Sequence, residues 1–176
     1  MHNSALFLPN GPGIQLLAVT PSSLADLIFG WTEKHPQCAI RRLRGQKCSD
    51  VARFFDEIGA ALQFPYYFGE NWDAFWECIT DLSWLWRPCS LIVVDRADLL
   101  LRESPDGFTT FIRLMHDAAG YWCEHPADFD GELRPAPFHT LLACPPESLP
   151  ALTTRVETVG LPTSLLNLQS KPRETE

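Results

Sequence analysis

The spacing of apolar residues divides this chain into predicted strands and helices. Continuous apolar runs, which are typical of strands in a buried parallel sheet, predict strands at 14–20, 38–43, 90–95 and 138–144. Apolar residues at helical spacing predict helices at 21–35, 51–62, 70–82 and 108–122. This order predicts an α/β fold in which the last three strands form a small three-stranded parallel sheet flanked by helices.

Proline breaks helices and interior strands, and its distribution indicates how the chain is organised. Residues 38–123 hold three of the 15 prolines, so regular structure should concentrate there. We predict three segments: an N-terminal strand-helix arm that packs on the core (1–37), a central domain with an insertion (38–145, insertion about 121–137), and an irregular Pro- and Thr-rich tail (146–176). The end of the tail, 169–176, is expected to be disordered. The pattern leaves open whether the arm extends the sheet or packs across a helix.

Composition narrows the classes of protein to which the chain can belong. With 176 residues, of which 45% are hydrophobic, it is long enough for one domain with a substantial core. Fourteen basic and 22 acidic residues give a net charge of −8, which argues against binding to nucleic acid or to an anionic membrane surface. The N-terminus lacks the basic and apolar regions of a signal peptide, and no apolar run reaches the ~18 residues that span a bilayer. We therefore predict a cytoplasmic protein whose six scattered cysteines are reduced.

The stretch 54–86 has an unusual charge pattern, because it contains six carboxylates and no lysine or arginine. On a helix over 70–82, four of them fall within an arc of about 80°, opposite a face of apolar and aromatic residues: Glu70, Asp73, Glu77 and Asp81. A solvated helix face usually mixes both signs, since like charges four residues apart destabilise a helix. The positive helix N-terminus offsets this repulsion for Glu70 and Asp73, but not for Glu77 and Asp81.

Two interpretations of this helix are open on the pattern alone. One is an ordinary solvated acidic face. The other is a docking face for a cationic site on another protein, and aromatic residues at its edge favour this interpretation because aromatic side chains anchor tight interfaces. Tyr67 and Phe68 precede the helix, and Trp76 lies at the border of its apolar arc. Trp72, Phe75 and Trp76 are equally consistent with core positions.

The segment 64–78, FPYYFGENWDAFWEC, resembles the signature of the barstar family of small α/β ribonuclease inhibitors, which has relatives among bacterial toxin immunity proteins. The order of elements is similar over about 105 residues, from the strand at 38–43 to the strand that begins at 138. The resemblance implies a protein that inserts an acidic helix into the basic active site of a ribonuclease. Its carboxylates would then occupy the place of substrate phosphate.

The resemblance also implies a set of partner-binding residues, which fall on interface positions of the family: Tyr67, Asn71, Trp72, Asp73, Trp76, Glu77, Thr80 and, on the later helix, Asp117. Trp72 replaces another apolar residue, Glu77 lies where the family carries its principal inhibitory aspartate, and Phe68 replaces a more usual tyrosine. The insertion adds four further acids that form either a solvated loop or a second acidic contact: Glu124, Asp128, Asp130 and Glu132.

An enzymatic function has little support in the sequence. The carboxylates of the acidic helix could serve the acid–base catalysis of a hydrolase, but no phosphate loop or nucleophile pair accompanies them, and the cysteines and histidines at 123–144 fit no common zinc spacing. The predicted function is that of a non-enzymatic immunity protein that blocks a basic ribonuclease toxin without a cofactor, a metal ion or a small-molecule substrate. The alternative is a binding module of the same fold for a different basic protein, such as another class of toxin or a regulatory protein.

Overall fold

The computed structural model of the chain describes residues 4–8, 11, 13–85, 87–125, 127–129, 132–134 and 136–166. The predicted disorder at 169–176 lies outside these residues. No helix within the described ranges combines the length and the apolar character needed to cross a membrane.

Strands and helices alternate along most of the described chain. The strands are β1 (Ile14–Ala18), β2 (Cys38–Arg44), β3 (Cys89–Asp95), β4 (Ala127–Phe129), β5 (Glu132–Arg134), β6 (Phe138–Cys144) and β7 (Ser164–Leu165). The helices are α1 (Pro21–Lys34), α2 (Val51–Leu62), α3 (Trp72–Asp81), α4 (Pro105–Glu124) and α5 (Leu149–Glu157). The four predicted strands correspond to β1, β2, β3 and β6, and the four predicted helices correspond to α1–α4.

The fold is α/β, with a parallel sheet flanked by helices, but the prediction of three strands is wrong. Among the residues that the structure describes, the sheet has five strands in the order β2-β3-β6-β1-β7. β1 pairs with β6 along its whole length, and β7 pairs with β1, so the N-terminal arm extends the sheet. Apolar periodicity identifies β1 as a strand, but it carries no information about a partner near the other end of the chain. β7 is too short for any periodicity to detect.

Helices cover both faces of the sheet, and alternate residues of β3 show the two layers. Ile92 and Val94 pack with buried residues of α2, α3, α4 and α5 in the larger core cluster. Leu91 and Val93 point to the other face and pack with buried residues of α1. A parallel sheet that is buried on both faces explains why its strands are continuous apolar runs.

Two segments predicted to be irregular contain regular structure. In the tail, α5 buries Leu152 and Val156, and its proline lies in the first turn, where a missing N–H group has no helical partner to lose. In the insertion, β4 and β5 form an antiparallel hairpin, and β5 lies within residues 131–137, for which the sequence predicts a loop. Proline content is therefore a poor indicator of irregular structure when the prolines begin helices.

Two of the cysteines expected to be reduced form a disulfide, so that expectation is wrong for this pair. Cys38 and Cys89 lie directly opposite each other at the starts of β2 and β3, with their Cα atoms 4.5 Å apart. Their separation of 51 residues along the chain hides the pairing from a reading of the sequence. Cys48, Cys78 and Cys144 are buried thiols.

Candidate functional site

The start of α3 determines which of the predicted carboxylates belong to its acidic face. Asn71 is the N-cap residue: its Oδ1 accepts a hydrogen bond from the N–H of Ala74 at 2.9 Å, and its Nδ2 donates to the carbonyl oxygen of Gly69 at 3.1 Å. Asparagine is among the preferred N-cap residues because its side chain satisfies an N–H that the first turn leaves unpaired. Glu70 precedes the cap in the left-handed region, with φ 48°. It therefore lies outside the helix, and the acidic face has three carboxylates rather than the four predicted.

These three carboxylates, Asp73, Glu77 and Asp81, form an exposed line along α3 that we call the acidic ridge. They recur at four-residue spacing, so they follow one another on the same side of the helix. Across the part of the chain that the structure describes, no basic side chain forms an ion pair with any of them. The last turn of α3 contains no basic residue either, so the negative end of the helix dipole adds to the field of Asp81. The acidic ridge is a surface of uncompensated negative charge.

The two tryptophans of α3 have different surroundings. Trp72 is half-buried, with its ring centroid 4.9 Å from that of Phe55 and 5.4 Å from that of Phe54. Trp76 is also half-buried, but its ring meets Tyr121 of α4 edge-on at 6.1 Å. The structure therefore gives Trp72 a packing role, while Trp76 borders the acidic ridge on the side of α4.

Of two further predicted residues, Thr80 lies on the side of the acidic ridge that faces α4, and Asp117 lies on α4 itself. The hydroxyl of Thr80 donates to the carbonyl oxygen of Trp76 at 2.8 Å, so it is used within the helix in the free protein. Asp117 is exposed on α4, with its Oδ1 3.2 Å from Nδ1 of His116. It precedes Tyr121 by one helical turn and so lies on the same side of α4 as the residue that contacts Trp76.

Tyr67 lies on the opposite flank of the acidic ridge, in the connection between α2 and α3, and it is 64% exposed. Its ring borders a surface hollow of about 160 Å³ that Glu77 and Asp81 also line. Phe68 and Trp84 form further parts of the wall. The predicted site is thus a ridge of carboxylates between two aromatic borders.

Three residues at this site lie outside the set of partner-binding residues that the sequence predicts: Asp81, Trp84 and Tyr121. The four-residue spacing places Asp81 on the acidic face, but the family resemblance gives it no interface role. Trp84 and Tyr121 reach the site through the packing of segments after α3, and no local pattern distinguishes them from core residues. Among the described residues, no three potential metal ligands of the His, Cys, Asp and Glu types lie close enough together to hold a metal ion.

Comparison with known proteins identifies one family. Residues 38–142 match the family model described as Barstar (barnase inhibitor), a span that runs from the start of β2 into β6. No curated protein matches the chain.

Solved structures with a similar fold come from a different group of proteins. Cdc6p from Pyrobaculum aerophilum aligns with a TM-score of 0.52 and 17% identity over 86% of this chain and 38% of that protein. The ORC2 protein of Aeropyrum pernix aligns with a TM-score of 0.56 and 15% identity over 92% and 43%. A chain of Drosophila ORC bound to AT-rich DNA and Cdc6 aligns with 0.51 and 13% over 90% and 49%. The present chain spans less than half the length of each, and at these identities the likeness is one of fold.

Proposed function

This chain belongs to the barstar family, and we propose that it is an inhibitor that binds a ribonuclease and blocks its basic active site with α3. In this proposal the ribonuclease is a bacterial toxin, and the chain is the cytoplasmic immunity protein that protects the producing cell. Family membership supports a protein partner of the barnase kind. Inhibition is by occupancy, so the chain catalyses no reaction and needs no cofactor.

The acidic ridge is the observation that carries the proposal. A ribonuclease that holds the phosphates of RNA needs cationic side chains in its active site, and carboxylates can form charge-assisted hydrogen bonds with the same groups. Asp73 and Glu77 are exposed and have no basic partner among the described residues. No internal salt bridge has to break before a basic site can approach, so the electrostatic attraction is available in full to a partner.

The aromatic borders supply apolar area that an interface can bury, which a ridge of charged side chains lacks. Buried aromatic area at the centre of an interface provides much of the binding free energy, whereas charges at the rim mainly affect the association rate. Trp76 and Tyr67 flank the ridge on its two sides, and Tyr67 is largely exposed in the free chain. A partner that covers the ridge would bury both rings.

The test is to titrate the chain into barnase and, in parallel, into the protein encoded by the adjacent gene. Cleavage of a fluorogenic RNA reports inhibition, and calorimetry reports binding. With the ribonuclease that it inhibits, Glu77→Ala is expected to weaken the complex by about 30-fold or more, because that is the loss expected of an interface hot spot. Asp73→Ala is expected to have a smaller effect, and added salt should slow association with the unmodified chain.

Glu33→Ala provides the matched control, since Glu33 is an exposed glutamate on α1, on the opposite face of the sheet. It removes the same charge and should leave inhibition unchanged. If neither Glu77→Ala nor Asp73→Ala weakens the complex, α3 is not the docking element and the proposal is wrong.

The identity of residue 77 favours one second candidate. A glutamate carries its carboxylate one methylene further from the helix than the aspartate that the family carries there, and this suits a differently shaped basic pocket. The second candidate is a binding module for a basic protein that is not a ribonuclease. A complex that depends on Glu77 while RNA cleavage continues would support it, whereas turnover that Glu77→Gln abolishes would indicate a hydrolase instead.

A further inference from the structure

The open edge of the parallel sheet is a second candidate interface, and we propose that it binds an extended acidic segment of another protein as an added strand. Among the described residues, β2 is the edge strand, because β3 alone pairs with it. Extended peptides bind in this way to exposed sheet edges, where main-chain hydrogen bonds provide affinity and side chains provide specificity. The proposal goes beyond the inhibition of a ribonuclease and does not involve α3.

The backbone of β2 has four polar groups available for an added strand. The N–H of Arg44 donates to Oε1 of Glu57 at 3.3 Å, a group outside the sheet, so Arg44 points away from β3. Alternate residues of a strand direct their N–H and C=O groups to the same edge. The N–H and C=O groups of Ile40 and Arg42 therefore point outward as well. Among the described residues, none of these four groups has a hydrogen-bond partner.

β2 lacks the backbone features that usually close an edge. Edge strands are often kept short, bulged or interrupted by proline, which prevents pairing with other chains. β2 instead runs for seven residues in unbroken register with β3 and contains no proline. The disulfide between Cys38 and Cys89 fixes its start, and the ion pair of Arg44 with Glu57 at 2.6 Å fixes its end. Because the edge is already ordered, a partner strand has little conformational entropy to remove from it.

The charge of this edge decides the class of partner. Although the net charge of the chain is −8, residues 41–53 hold five of its 14 basic residues and a single acid. Arg41 forms no ion pair among the described residues, and Arg42 is 49% exposed beside Asp95. These two arginines lie on opposite faces of β2, because successive side chains of a strand alternate. Two adjacent acidic residues of an added strand would each meet one of them.

A second copy of the chain does not fit this edge. Two copies of β2 related by a twofold axis would pair antiparallel, and the longest pairing would centre on Arg41. Each Arg41 would then lie directly opposite the other, with Arg42 of each chain beside it, and like charges in such positions are destabilising. The arginines thus act against self-pairing and favour a partner strand of opposite charge.

The experiment uses the full chain with its disulfide intact. The ¹⁵N-labelled chain is titrated with a capped octapeptide of threonine and valine that carries two adjacent glutamates at its centre. Saturable chemical-shift changes are expected at the backbone amides of Ile40, Arg41 and Arg42. Hydrogen exchange of the Ile40 and Arg42 amides should slow, because their N–H groups gain acceptors from the added strand. Attraction between charges alone would not protect these two amides.

Three control peptides separate strand addition from charge, and all are tested on the unmodified chain. The first carries two lysines in place of the glutamates and is expected to give no saturable shift. The other two keep the glutamates and are N-methylated at either the odd or the even positions. Since an added strand pairs with β2 through one of its edges, one methylated peptide should lose binding and the other should retain it.

One variant and one matched control test the role of the basic edge. Arg41→Gln removes a charge that has no ion pair among the described residues, and it should weaken binding of the glutamate peptide about two- to fivefold. Arg113→Gln removes an equal charge from an exposed position on α4 and should leave the affinity unchanged. If Arg41→Gln disturbs the fold, the comparison of the control peptides still decides the proposal.

Several results would overturn the inference. Equal binding of the glutamate and lysine peptides would do so, as would retained binding of both methylated peptides or equal losses for Arg41→Gln and Arg113→Gln. The absence of a saturable shift in β2 at millimolar peptide would do so too. Protection of the Ile40 and Arg42 amides that rises with the concentration of the chain alone would identify a second copy as the occupant and would also overturn it.

Discussion

Replacing Asn71 by alanine separates two roles that sequence and structure give to the same residue. The family resemblance makes Asn71 a partner-binding residue, and the structure makes it the N-cap of α3. The substitution removes both hydrogen bonds of the amide, to the N–H of Ala74 and to the carbonyl oxygen of Gly69. It leaves the acidic ridge intact in sequence, so any effect on binding has to come from the amide itself or from the position of the helix.

The expected magnitude follows from these two bonds. Loss of an N-cap side chain costs about 1 kcal/mol in free energy of unfolding, with a range of about 0.5–2 kcal/mol. Asn71 is exposed, so water replaces part of the second bond, and the total should stay near 1 kcal/mol. For a chain of 176 residues, this corresponds to a decrease in Tm of about 2–4 °C.

Urea unfolding followed by circular dichroism measures the stability, and calorimetry with the inhibited ribonuclease measures binding. Asp50→Ala is the matched control, because Asp50 is the N-cap of α2 and accepts from the N–H of Arg53 at 2.9 Å. Both alanine variants should lose similar stability, but only Asn71→Ala should weaken the complex. Asn71→Ser keeps a capping oxygen and should recover most of the stability.

Different results would contradict the capping role of Asn71 and its partner contact. A serine variant as unstable as the alanine variant would show that the capping bond contributes little. If Asn71→Ala and Asn71→Ser bind as tightly as the unmodified chain, the predicted partner contact of Asn71 is wrong and only its capping role is left. If the serine variant is stable but binds weakly, the amide makes a direct contact.

Two further predictions concern stability. The side-chain hydrogen bonds of Arg44 hold the pKa of Glu57 below its ordinary value, so the stabilisation is present above the pKa of the unfolded state and is lost as pH falls through the folded-state pKa. The urea midpoint of the unmodified chain should therefore fall more steeply with acidification than that of Glu57→Gln, and parallel pH profiles would contradict the assignment. Reduction of the Cys38–Cys89 disulfide, which joins residues separated by 51 positions, should lower the free energy of unfolding by about 2–4 kcal/mol. A double serine variant should be insensitive to reductant, and an unchanged midpoint on reduction of the native chain would contradict the prediction.

Local patterns are sufficient for four of the strands, β1, β2, β3 and β6, and for helices α1–α4, and they fail where distant segments meet. Continuous apolar runs identify β3 and β6, since a strand buried on both faces has no polar alternation. The same rule cannot place β1 beside β6 or pair Cys38 with Cys89, because both are contacts between segments far apart in sequence. The tail differs from its prediction for another reason, since proline at a helix start is favourable whereas proline in a helix interior is not.

At the candidate site, too, local spacing predicts which residues share a helix face but not which distant segments pack against them. Four-residue spacing predicts that Asp73, Glu77 and Asp81 share a helix face, and the structure confirms this. It excludes Glu70, because a cap at Asn71 with its left-handed predecessor starts the helix later than the charge pattern suggests. The sequence could not determine which aromatic residues face outward, because Trp72 and Trp76 differ only in what other segments pack against them.

β6 lies between β3 and β1 in the sheet, so β1 covers an edge that the family segment, residues 38–142, would leave open by itself. Within residues 38–142 alone, β6 would be the last strand of the sheet, and its unpaired N–H and C=O groups would face solvent beside buried residues such as Leu141. Long apolar edges of this kind recruit strands from other molecules and lead to aggregation. In this chain β1 occupies that edge in register from Ile14 to Ala18, and the much shorter β7 pairs with Gln15 and Leu16 on the other side of β1. The arm outside the family segment thus covers with β1 the edge that β6 would otherwise present to solvent.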